Sequence, residues 1–174
     1  MFKVRSGCFE TNSSSSHAMI VLKEDKPLPK MIEQEWHLHN GKLSIYHNDL
    51  LFERSPFDVL IDWYHRMCYA IASFGEESYD KIEAILYKRI DGIQEIEIWG
   101  GRDDDYYKYG YVDHQSAGLL KHFLFKNDID LEDFIFNDRY IVIIDGDEYG
   151  VYDTMVESGL INIDLIEKCE GVYD

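Results

Sequence analysis

Cations are scarce in this chain, with 17 Lys and Arg standing against 34 Asp and Glu for a formal charge of −17. A surface so poor in positive charge does not neutralise phosphates, which sets direct nucleic-acid binding aside. Cysteine is scarce too. Cys8, Cys68 and Cys169 are odd in number and far apart, which argues against both a disulfide framework and paired metal-ligand spacing. No window approaches the roughly 18 apolar residues of a membrane span, and the first residues carry no apolar signal region, so a cytoplasmic protein is expected. Internal repeats and linker-like tracts are missing as well, and the single low-complexity run is Ser13-Ser14-Ser15-Ser16.

What is present is enough for a folded core. The chain has 174 residues, 45% of them hydrophobic and 14% aromatic, which suits one domain spanning residues 1–174. The acidity belongs to the body of the chain. Residues 1–30 hold five bases and three acids, so residues 31–174 hold twelve bases and thirty-one acids, a net of −19. Such a field speeds encounter with basic surfaces.

The expected elements run as follows. Residues 1–5 and His17 to Lys23 read as strands, the second ended by Pro27 and Pro29. Residues 35–39 and 42–47 flank Asn40-Gly41, a strong hairpin signal. Ser55-Pro56-Phe57-Asp58 reads as a helix start, with Asp62 and Arg66 forming an outward i,i+4 pair. A second helix is expected over 77–90 and an alternating strand over 93–99. Tyr106 to Val112 extends the sheet, and Asp113 caps a helix over 114–126. A short helix over 130–136 and a buried strand over 140–144 follow, with helical turns at 153–157 and 162–168. The fold expected is α+β, with a mixed, mainly antiparallel sheet packed against two to four helices.

The segment Phe9-Glu10-Thr11-Asn12-Ser13-Ser14-Ser15-Ser16-His17 stands out because an ordinary connection sets its turns with Gly, Pro or Asp. Three roles are open to it. Backbone N–H groups and hydroxyls, helped by Arg5 and His17, could cradle an anion. His17 could act as base for a serine such as Ser13, oriented by Glu10. The same groups could instead satisfy buried backbone and hold the architecture.

The run Arg5-Ser6-Gly7-Cys8-Phe9-Glu10-Thr11-Asn12-Ser13-Ser14-Ser15-Ser16-His17 resembles the opening of many small proteins of bacteriophages, prophages and related mobile elements. The resemblance implies a phage-type origin and carries no activity with it. Cys8 occupies a freely varying position of that pattern.

Two further constellations carry chemistry. His37 and His39 on one hairpin arm, with His47 on the other, could hold Zn²⁺ with Cys8, His17 or a carboxylate completing the site. Asp145, Asp147 and Glu148 leave a buried strand, where acids can hold Mg²⁺ but where Asp-Gly also simply makes a turn. Finally, Asp103, Asp104 and Asp105 precede Tyr106, Tyr107, Tyr109 and Tyr111, and interleaved acids and tyrosines suit the cationic channel of another protein. The function expected is therefore a counter-defence inhibitor, anti-CRISPR-like, whose contact residues are Asp103, Asp104, Asp105, Tyr107, Tyr109, Asp145, Asp147 and Glu148. Its partner would be a basic host protein such as a Cas nuclease. The alternative is a small enzyme, or a metal- or phosphate-binding protein, centred on Glu10, Ser13 and His17.

Overall fold

A computed structural model describes residues 16–23, 37–52, 58–99, 109–113, 116–145, 164 and 166–171. The central element is β8 (Tyr140–Asp145). Residues 140–144 are buried without a break, as a continuous apolar run requires when both faces of a strand are covered. Strand β1 (Ser16–Leu22) lies antiparallel along one side of it, with His17 opposite Ile144 and Val21 opposite Tyr140. Along its other side lies β5 (Asp58–Leu60). The fourth strand, β9 (Ile166–Gly171), pairs antiparallel with the far edge of β1, giving the order β5-β8-β1-β9.

Strand alternation then sorts side chains to two faces. Met19, Val21, Tyr140, Val142 and Ile144 join the main core with the helices. Ala18, Ile20, Leu22, Ile141 and Ile143 form a smaller cluster on the opposite face.

The hairpin forms where expected. Strands β2 (Leu38–His39) and β3 (Lys42–Tyr46) pair with Leu38 opposite Leu43. Asn40 and Gly41 sit at φ 51° and 80°, the left-handed pair that a tight two-residue turn demands. The second arm stops at Tyr46, because His47–Leu50 winds into a 3-10 turn. On its other side β3 runs parallel to β6 (Glu95–Trp99). In that register Leu43 and Ile45 meet Ile96 and Ile98 on the core side, while Lys42 reaches Glu97 at 2.5 Å and Glu95 at 3.7 Å on the outer side. Two short strands, β4 (Leu51–Phe52) and β7 (Tyr111–Val112), form a parallel pair.

Four α-helices lie among the described residues: α1 (Trp63–Phe74), α2 (Glu76–Arg89), α3 (Leu119–Asn127) and α4 (Leu131–Phe136). Together with mostly antiparallel strands they make an α+β domain. Helix α2 carries Glu76 and Glu77 in its first turn and Lys88 and Arg89 in its last, the charge order that its dipole favours. None of the described helices is long and apolar enough to cross a membrane.

Several expectations need correction. The first helix does not begin at Ser55. Asp58–Leu60 is a strand, because the open edge of β8 offers it backbone partners, and the helix starts beyond Asp62, whose carboxylate accepts the backbone N–H of His65 at 2.9 Å. Arg66 is not Asp62's outward partner: it is wholly buried. The third helix starts at Leu119 behind Gly118, not at residue 114. Residues 166–171 form a strand rather than a helical turn, since β1 has a free edge to fill. Residues 1–5 and 153–157 lie outside the described residues.

Candidate functional site

His17 is the member of the serine-rich segment that the structure describes with its side chain; Glu10, Ser13 and Cys8 lie outside the described residues. It is the first inward-facing residue of β1, sharing the face of Met19 and Val21, and it is 0% exposed. Its Nδ1 lies 2.8 Å from the hydroxyl of Tyr69 on α1, in a buried hydrogen bond. The Tyr69 ring in turn meets Phe52 edge-on at 5.0 Å. Burial pushes the His17 imidazole down to about 4, with the carboxylate of Asp113 pulling the other way. Burial likewise pushes the Tyr69 phenol up. At neutral pH both groups are uncharged. They join β1 to α1 through a hydrogen bond in a dry setting, which suits architecture rather than proton transfer to an outside substrate.

This has a measurable consequence. A histidine whose folded value lies below its ordinary 6.5 contributes stability that is complete above that pH and is lost as pH falls from 6.5 towards 4. Between about pH 7.5 and about pH 5, urea unfolding should show a loss on the order of 2 kcal/mol from this group. His65 works in the opposite sense, because Asp62 raises its value, so the clean measurement is against His17→Leu. That variant should lose most of the slope. An unchanged slope would show that His17 does not titrate between the two states.

The three histidines offered for zinc are held separately. His37 stacks on Tyr64 with ring centres 3.9 Å apart, and its Nδ1 lies 3.3 Å from the carbonyl oxygen of Ser44. His39 is exposed beside the turn, opposite Lys42. His47 opens the 3-10 turn, and its buried Nδ1 has no hydrogen-bond partner. The turn carries His47 out of register with the other arm. Among the described residues no group of three His, Cys, Asp or Glu side chains is placed to hold a metal ion. Cys68 is buried in α1 and Cys169 is exposed on β9.

Of the proposed contact residues, Asp103, Asp104, Asp105, Tyr107, Asp147 and Glu148 lie outside the described residues. Asp145 ends β8, paired with Ser16. Tyr109 is half-buried against the main core, its ring 5.2 Å from that of Tyr79. Burial, with Glu83 and Tyr109 beside it, pushes the Tyr79 phenol up to about 12. Tyr109 therefore gives much of its area to packing.

Sequence reasoning passed over the acids around α4. Residues 128–138 hold five acids and no base. Asp128 closes α3 in a left-handed conformation, and Asp130 caps α4 by accepting the N–H of Glu132 at 2.8 Å. Asp133 accepts from the Tyr140 hydroxyl at 2.7 Å and the Asn137 amide at 3.1 Å. Asp130, Glu132, Asp133 and Asp138 border an open groove of about 500 Å³. Phe136 lies in it, stacked on Trp63 at 5.6 Å and covered by the Arg89 guanidinium at 5.0 Å. The signal available was a run of acids at helix ends, which capping alone explained.

Compared with known proteins, the chain matches no family model, and no curated protein or solved structure matches it either.

Proposed function

We propose that this protein is a phage-encoded counter-defence inhibitor, anti-CRISPR-like, which acts in the host cytoplasm by covering the nucleic-acid site of a cationic host protein such as a Cas nuclease. The observation that carries this reading is the charge: thirty-one acids against twelve bases over residues 31–174. The phage-type opening at Arg5 to His17 supports it, as does the sequence mixture of acids and tyrosines over residues 103–111. A negative surface of this kind competes for the cations that otherwise bind phosphates, and it accelerates encounter with them. The enclosed, uncharged His17 supports a holding role for the N-terminal segment.

The test uses a purified Cas nuclease loaded with guide RNA, and reads both target cleavage and affinity. Cleavage should be suppressed, with a Kd that weakens as salt rises. Reversing Asp103, Asp104 and Asp105 to lysine should weaken binding by about tenfold or more. Affinity indifferent to salt, or a triple variant that inhibits like the parent, would remove the electrostatic reading.

A further inference from the structure

A second groove, bordered by the end of α1, by α2 and by the turn from α3 to α4, has no part in the reading above. It is an open cleft of about 410 Å³, with Phe74, Leu124 and Ile129 among its apolar lining. Phe125 stands at its lip and is 88% exposed, far more than any other large hydrophobic side chain among the described residues. A ring left this bare gains nothing from its own fold, and its burial elsewhere would be favourable. The charge around the cleft is balanced, Lys81 and Lys121 against Asp128 and Asp130, in a chain whose total is −17.

We propose that this groove is a self-association face, at which Phe125 of each protomer enters the cleft of a second copy of the chain about a twofold axis. A twofold interface needs one patch that complements itself. Here a protruding ring and a receiving cleft, and two cations and two anions, occur on the same patch. Charge selects the same occupant. Two chains of −17 repel one another at long range, so contact is favoured where the local charge sums to zero, as it does at this cleft. A strongly cationic partner would meet Lys81 and Lys121 here while most of the surface attracts it elsewhere. A strongly anionic partner is repelled by the chain as a whole.

The interface rests on one small cleft from each protomer, so a Kd on the order of 10 µM is expected. Its salt response should be opposite in sign to that of cationic-partner binding. Added salt screens the repulsion between the two chains, so the dimer should tighten by roughly threefold between about 50 mM and about 500 mM salt. This inference does not depend on the counter-defence reading, and either can fail without the other.

Analytical ultracentrifugation of the full chain tests it. The expected result is a monomer–dimer equilibrium that salt strengthens and that Phe125→Asp weakens by about tenfold or more. Because Phe125 is so exposed, the variant should keep the parent's circular dichroism and melting temperature. A parent that stays monomeric up to about 200 µM at both salts, a dimer that salt dissociates, or a dimer untouched by Phe125→Asp would each overturn the proposal.

Discussion

Replacing Arg66 with methionine should destabilise the protein by about 4 kcal/mol and lower its melting temperature by about 10 °C. The guanidinium is 0% exposed and lies where three elements converge. Its Nε and Nη2 donate to the carbonyl oxygen of Ile135 at 3.0 and 2.8 Å, in the last turn of α4. Its Nη1 donates to Tyr140 at the start of β8 at 3.0 Å, and also to Ile61 just before α1. The C-terminal carbonyls of a helix have no partner within it, so Arg66 supplies the missing donor and ties α4 to the sheet. Methionine fills similar space but leaves three carbonyls unpaired, at about 1–3 kcal/mol each where water does not reach them. Lysine should recover less than half of the loss, since a single ammonium does not reproduce the planar fork. Asp138, 3.6 Å away but with its side chain 63% exposed, contributes little as counter-ion, and Asp138→Asn should cost under about 1 kcal/mol. Urea unfolding of the three variants checks the ranking. If Arg66→Met costs no more than Asp138→Asn, the carbonyl clamp is not what holds these elements together.

The second large effect is expected at Gly110. Its φ is +83°, and a Cβ built there would lie 2.2 Å from the carbonyl oxygen of Leu50 and 2.3 Å from its Cβ. Leu50 is fully buried, so neither side can yield without moving backbone. The residues just beyond hold the β4–β7 pair, Leu51 opposite Tyr111 and Phe52 opposite Val112, and the N–H of Asp113 bonds the Phe52 carbonyl at 3.0 Å. Gly110→Ala should therefore cost about 4 kcal/mol or more, the sum of about 1–2 kcal/mol for the left-handed backbone and the disruption of this contact. Gly92 provides the control, because its φ is also +83° but nothing lies within 4 Å of a Cβ there. Gly92→Ala should cost only about 1 kcal/mol. Equal melting temperatures for the two variants would show that backbone conformation, rather than the approach to Leu50, sets the penalty.

How far the chain could be read in advance is clear from particular residues. The 140–144 run, the Asn40-Gly41 turn, the alternation at 95–99 and the helices at 76–89 and 131–136 were all legible. In each, neighbours a few residues apart determine the outcome: an unbroken apolar stretch, a left-handed pair, a period of two, or caps with a helical period. The strand at 58–60 was hidden behind a good helix start at Ser55-Pro56, and the strand at 166–171 behind a sequence that also suits a helical turn. Both are edge pairings, and an edge exists only once β8 and β1 are side by side.

The candidate site divides in the same way. That His17 faces inward follows from the alternation it shares with Met19 and Val21, and a careful reading of the strand places it there. That Tyr69 meets it, that Asp113 lies near enough to act on its charge, and that Arg66 turns from an apparent surface pair into a clamp on three carbonyls follow from how α1 lies against the sheet. By itself the sequence determined charge, periodicity and turns, because these are properties of residues and their near neighbours. Only the tertiary structure decided which buried polar groups meet and which edges are filled, because those depend on groups fifty or more residues away along the chain.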